Sequence, residues 1–231
     1  MVNGIRRVAI LRPVTGTEPR FFFVHVMKTG GATFRRHIEH NFRSPGAVYP
    51  DRDLDGNLRE ANILVERVLH LPPERRAAIR AYTGHFPFVI PGMIDPELIT
   101  LTMLRDPVAR TISYLKHCRR YHERHHDLPL EAIYEDPFSF PTLIHDHQVK
   151  IFAMTRDDRL ESYMDVIEID DARRRVAESN LERVDVVGLH EGYDDFLAEM
   201  HRRFGWDIRE RSPWRVGEEN WDVSTSFRRR I

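Results

Sequence analysis

Short continuous apolar runs alternate along this chain with longer stretches of helical spacing, and that alternation predicts an α/β fold. The run Phe21 to Val26 is aromatic and β-branched and stops before Gly30 and Gly31, the pattern of a buried strand entering a tight turn. Ala32 to Phe42 is spaced as a helix. Arg43 to Asn62, with Pro45, Gly46, Pro50 and Gly56, predicts a long polar loop that contributes to substrate binding. Glu60 to Leu71 and Glu74 to Ala81 predict two helical pieces parted by Pro72 and Pro73.

Ala81 to His85 and Leu98 to Leu104 read as a second and a third strand, continuous enough for the inside of a parallel sheet. Asp106 then supplies an N-cap and Pro107 a first helical residue, for a helix running to about Arg124. A further helix is introduced by Asp136, Pro137 and Ser139 and runs through Ala153. An amphipathic helix follows over Asp170 to Arg183, with Arg173 to Arg175 on its wet side. Val184 to Leu189 is a last strand, and Glu191 to Phe204 a last helix closed by Gly205. No repeat or linker divides the chain, so residues 1–231 are expected to form one domain, a P-loop-like three-layer α/β/α fold around a central parallel sheet.

Composition narrows the partners. Lys and Arg number 35 against 36 Asp and Glu, so no overall field draws the molecule to nucleic acid or an acidic membrane, and any anion site is local. The single cysteine, Cys118, excludes an intramolecular disulfide and fits a reducing compartment. No apolar run reaches the roughly 20 residues of a membrane span, and Val8 to Leu11 is too short for a signal-peptide core. A soluble, cytoplasmic chain with no integral membrane segment is expected.

Candidate chemistry begins at the first strand-to-helix junction, His25 to Phe34, where Lys28, Gly30, Gly31 and two threonines stand together. Glycines let backbone wrap an anion, and the free N–H groups of a first helical turn point at it. On its own the segment reads equally as an anion loop or as an ordinary glycine turn beside a surface lysine. Lys28 precedes the glycines, whereas in a Walker A loop the lysine follows them, which argues against an ordinary P-loop NTPase. In the second junction, Leu101 to Tyr114, Ser113 lies eight residues beyond Arg105, placing a guanidinium at a strand end and a hydroxyl in the second turn of the next helix.

The two segments, in this order, resemble the cofactor-binding blocks of the sulfotransferases that use 3′-phosphoadenosine 5′-phosphosulfate (PAPS), particularly the carbohydrate-type, family 2-like branch in bacteria. VHVMKTGGATF is similar to their 5′-phosphosulfate loop, with Met27 in place of proline and Ala32 in place of a hydroxyl residue. The segment around Arg105 and Ser113 is similar to their 3′-phosphate block, and Thr83-Gly84-His85-Phe86 to the stretch holding their histidine base. Asp146 to Ala153 and Val186 to Glu191 resemble later blocks.

The resemblance implies a sulfuryl transfer from PAPS to a hydroxyl of a small-molecule or glycan acceptor. It implies His85 as general base and Lys28 as stabiliser of the leaving phosphate, with Lys28, Thr29, Gly30, Gly31, Ala32 and Thr33 around the 5′ end. It implies Arg105 and Ser113 around the 3′-phosphate. The scheme needs no metal. Gln148 and Lys150 read either as cleft residues or as a solvated helix face, and Asn220 and Arg228 to Arg230 as cofactor contacts or solvated groups.

Two rivals remain, a P-loop-like nucleotide phosphotransferase and a catalytically silent anion-binding protein on the same fold. A third pattern is a decoy. His122 to His126 spells HExxH, with His122 and His126 on one helical face, but the flanking Arg119, Arg120, Arg124 and Asp127 and the helix end at Pro129 give no dry site for catalytic zinc.

Overall fold

A computed structural model describes residues 18–209 and 223–231. Five strands, β1 (Phe21–Val24), β2 (Val48–Tyr49), β3 (Ala81–Gly84), β4 (Ile99–Leu104) and β5 (Val186–Leu189), form one all-parallel sheet in the order β2-β3-β1-β4-β5. The helices are α1 (Gly31–Asn41), α2 (Leu58–Ala61), α3 (Val65–Leu69), α4 (Pro73–Ala78), α5 (Pro91–Ile94), α6 (Pro107–Tyr121), α7 (Leu130–Tyr134), α8 (His147–Ala153), α9 (Asp171–Glu182), α10 (Tyr193–Phe204) and α11 (Thr225–Arg230). The expected α/β fold with a central parallel sheet is the observed one.

The period of two along β1 builds the three layers. Phe22 and Val24 face a core completed by Ile112 and Leu115 of α6, Ile151 and Phe152 of α8 and Ala177 of α9. Phe21 and Phe23 face the opposite core, with Phe34 and Ile38 of α1, Phe196 and Met200 of α10, and Trp206. All four β1 residues are essentially inaccessible. At about 1.5–3 kcal/mol for each buried phenylalanine, Phe21, Phe22 and Phe23 contribute roughly 5–9 kcal/mol before chain entropy is counted.

Several expected boundaries move, each for a local reason. The 43–62 loop also holds β2, which pairs with Ala81 and Tyr82, and α2, which is capped by Asn57. The helix expected over Glu60 to Leu71 is two pieces, because Leu64 is extended. The Glu74 to Ala81 piece ends at Ala78, where Ile79 turns extended into β3. The α6 helix stops at Tyr121 rather than near Arg124, since His122 takes extended backbone (φ −110°, ψ 110°) before a 3₁₀ turn over Glu123–His125. The helix expected from Asp136 through Ala153 is a π turn over Phe140–Ile144 and then α8, parted by Asp146 at φ 48°. Asp170 caps α9, accepting from Arg173 N at 2.7 Å, and Gly205 closes α10 at φ 69°. On α9, Arg174 and Arg175 are exposed as expected, but Arg173 turns inward to hold Asp158 and the Ala153 carbonyl.

Among the described residues no helix is long and apolar enough to cross a membrane.

Candidate active site

In a parallel sheet every strand delivers its carboxyl end to the same edge, and ligands bind there where strand order reverses. Here the three adjacent central strands each end in a residue of chemical interest. β1 runs into His25 and the glycine loop, β3 into His85, and β4 into Arg105. The pairing of Val24 with Gly84 sets the exits of β1 and β3 level, and β4, whose Thr102 pairs with Val24, runs two residues further before Arg105. A hollow lined by Arg20, Leu71, Pro73, Arg76 and Ala77 opens instead near the amino ends of β1 and β3, at the opposite edge.

The loop is shaped by its backbone. Lys28 takes φ 69° and Gly30 φ 94°, both left-handed, so the chain doubles back between β1 and α1. Thr29 is buried and its hydroxyl is spent inside the loop, donating to the Val26 carbonyl at 2.8 Å. Gly30 occupies the N-cap of α1, so the cap position offers no side-chain acceptor to the first-turn N–H groups of Gly31 and Ala32. The second glycine is needed for another reason. A Cβ on Gly31 would lie 2.1 Å from Cδ2 of His25, so the loop closes only because that methyl is absent.

Two imidazoles pack, tilted by 33°, at the neck of this loop. The His25 and His85 rings lie 4.2 Å apart between centroids, and Tyr163 lies 5.1 Å from His85. His85 Nδ1 meets the His25 carbonyl at 2.8 Å, an acceptor only, so Nδ1 carries the proton and Nε2 keeps its lone pair. Burial pushes the His85 pKa down to about 4; the bond to the His25 carbonyl opposes this, while Arg35, Arg110 and Lys28 add to it. His25 is also lowered, by burial first and then by His85, Arg35 and Lys28.

Those shifts bear on stability. A histidine whose folded pKa is depressed is protonated more readily in the unfolded chain, so stability is present above the unfolded value of about 6.5 and is lost as pH falls toward about 4. For His85 alone the loss is roughly 3 kcal/mol over that window. Unfolding midpoints measured across the range should fall steeply with acidification in the native protein and less steeply in His85→Asn; parallel curves would contradict the assignment.

Arg105 anchors the other side. Its Nη1 donates to the Lys28 carbonyl at 3.2 Å, joining the end of β4 to the loop, while its Nε is buried with no hydrogen-bond partner among the described residues. The Gln148 amide brackets the Arg105 backbone, accepting from its N–H at 3.0 Å and donating to its carbonyl at 2.8 Å. Ser113 sits in the second turn of α6, partly buried, as its spacing from Arg105 predicts. Lys28, His85 and Arg105 are thus brought to one edge, with Thr29 to Thr33 forming the loop and first turn of α1.

Other groups here carried no signal as site residues in the sequence. Arg110 is 1% exposed; its Nε donates to the Met27 carbonyl at 3.1 Å, its Nη1 to Leu143, and its Nη2 has no partner. Burial brings its pKa down to about 10. His147 is buried, and burial, then Arg110, Lys150 and His85, hold it neutral against a backbone contact with Thr142. Only His25 offered a hint, because a second glycine has to have a reason.

Neither Gln148 nor Lys150 lies on a solvated face. Lys150 is 1% exposed, donates to the Thr142 carbonyl, and has its pKa pulled down by burial to about 8. At the tail, Arg230 pairs with Glu135 at 3.1 Å and Arg228 donates to the Val223 carbonyl, so α11 is fastened near α7; Asn220 lies outside the described residues. His122 and His126 share no helical face, because α6 has already ended.

Chemically the arrangement suits an oxyanion. Lys28, Arg35 and Arg110 lie close enough to the neutral His85 imidazole to depress its pKa, the start of α1 carries no side-chain cap, and Arg105 is tied to the same loop through the Lys28 carbonyl.

No family model matches the chain, and no curated protein matches it. Among solved structures it is similar to a sulfotransferase from Alicyclobacillus acidocaldarius, with 17% identity, a TM-score of 0.44, and coverage of 93% of this chain and 90% of that one. A likeness of that degree assigns no activity by itself.

Proposed function

We propose that this chain is a PAPS-dependent sulfotransferase acting on a hydroxyl of a glycan or other alcohol. One observation carries the reading: three neighbouring central strands end at one edge in a lysine-glycine anion loop, a neutral histidine with a free Nε2, and an arginine with an unpartnered buried Nε.

PAPS, when bound, supplies the sulfuryl group and a phosphate leaving oxygen. Lys28 and the N–H groups of Gly31 and Ala32 hold that phosphate and neutralise the charge that grows on it. Thr33, in the same turn, offers a hydroxyl. Thr29 acts through its backbone, since its hydroxyl is engaged with Val26. Arg105 and Ser113 receive the 3′-phosphate, and His85 Nε2 takes the acceptor's proton as its oxygen attacks sulfur.

A base with a pKa of about 4 is weak in the free protein. An anionic donor beside it favours the imidazolium and raises that value toward the working range. Desolvation keeps the ring neutral until the donor is in place.

The test is calorimetric. Adenosine 3′,5′-bisphosphate should bind, adenosine 5′-phosphosulfate and ATP, which lack the 3′-phosphate, should bind much more weakly, and Arg105→Ala should weaken the bisphosphate by about 10–100-fold, the worth of one or two charge-assisted hydrogen bonds. A preference for ATP with magnesium would instead favour a nucleotide phosphotransferase, and no nucleotide binding would favour a silent anion-binding protein.

A further inference from the structure

The end of α6 holds a second group of chemically capable side chains, separate from the strand edge. Cys118 is in the last turn of α6, His122 follows where the helix stops, and His125 lies in the 3₁₀ turn over Glu123–His125. One ligand atom from each lies within 4.8 Å of the other two. The break at His122 creates this set. A continued helix would pair His122 with His126, whereas the tighter 3₁₀ turn brings His125 round instead.

His125 supplies an independent sign of a missing partner. It is 2% exposed, and its Nδ1 is buried with no hydrogen bond among the described residues. Its Nε2 faces Asp136 Oδ2 at 3.9 Å, too long for a hydrogen bond. A carboxylate on that side can draw in to accept from Nε2 once Nδ1 takes up a metal, the usual support of a metal-bound imidazole. Cys118 is a buried free thiol, and His122 is exposed, so the group has a dry side and an open side.

We propose that Cys118, His122 and His125 form a three-ligand site for Zn²⁺, with His125 bound through Nδ1, Asp136 orienting it, and the fourth position open to water. A thiolate with two imidazoles selects zinc-class ions over calcium or magnesium, which take oxygen ligands. Binding forms a zinc–sulfur bond and breaks the Cys118 S–H bond, whose proton goes to solvent; nothing is oxidised or reduced. Zinc–ligand bonds of about 2.0–2.3 Å put tetrahedral ligands about 3.3–3.8 Å apart, so closure needs side-chain movements on the order of an ångström. The ion ties the carboxyl end of α6 to the turn after it, two turns beyond Arg110, and has no part in sulfuryl transfer, so it stands whether or not that reading does.

Untagged, full-length protein should take up one zinc per chain by elemental mass spectrometry and gain thermal stability from it. With cobalt in its place, it should show a thiolate-to-metal charge-transfer band. Cys118→Ser should abolish the band, His122→Asn should lower zinc affinity at least about tenfold, and Asp136→Asn should lower it about 10–100-fold. His122 is exposed, so its variant decides the matter even if Cys118→Ser does not fold. Absence of stoichiometric zinc and of the cobalt band in the native protein overturns the site, as does zinc binding that His122→Asn leaves unchanged.

Discussion

Replacing His85 by asparagine is expected to lower turnover about 10²–10⁴-fold, the range for loss of a positioned general base, while adenosine 3′,5′-bisphosphate binds within a few-fold of its native affinity. Asparagine can still donate to the His25 carbonyl as Nδ1 does at 2.8 Å, so the neck of the loop is preserved and only the proton acceptor is lost. The informative comparison is between single-turnover rate and calorimetric affinity on the same preparation. A variant that binds the bisphosphate and turns over at the native rate would falsify the role given to His85. A fall in both quantities together would point to a collapse of the packed His25–His85 pair.

The second large effect is at Lys28, where removal of the ammonium should cost about 10²–10³-fold in turnover, as for other preorganised donors aimed at developing charge. Position 28 allows a cleaner test than most. Its backbone sits at φ 69°, a conformation that costs a non-glycine residue about 1 kcal/mol or more, and its carbonyl is held by Arg105. Lys28→Gly relieves that strain and Lys28→Ala keeps it, so the two variants should differ in stability but share the loss of turnover. If Lys28→Gly recovered native turnover, the residue would matter only for the shape of the loop.

The strands that build the site were the most readable parts of the chain. β1, β3 and β4 are short runs of apolar, aromatic and β-branched residues, and capping chemistry marked helices beside them: Asp106 opens α6, accepting from Ala109 N at 2.8 Å, and Gly205 closes α10, as their residue types predict. β2 carried no such signal, since Val48 and Tyr49 are too few to show a period and owe their strand geometry to Ala81 and Tyr82.

Polar residues on α8 were harder still. Lys150 could be read in sequence as a cleft residue or as part of a solvated face, and His147 carried no reading; both are buried, Lys150 against the Thr142 carbonyl in the preceding π turn and His147 beside Tyr163. Arg110 is a similar case, a charge whose burial depends on carbonyls of Met27 and Leu143, far from it along the chain.

The Gln148 amide gives Arg105 an unusual setting. One acceptor and one donor, in register with a backbone N–H and C=O, are what a neighbouring strand would offer, so a side chain from α8 imitates one more rung of the sheet just past the last residue of β4. The peptide groups of Arg105 are therefore gripped from α8, while its guanidinium is tied to the Lys28 carbonyl in the glycine loop. Root and hand of this one residue are fastened to different parts of the scaffold, so it works as a brace that fixes the distance between the end of β4 and the loop.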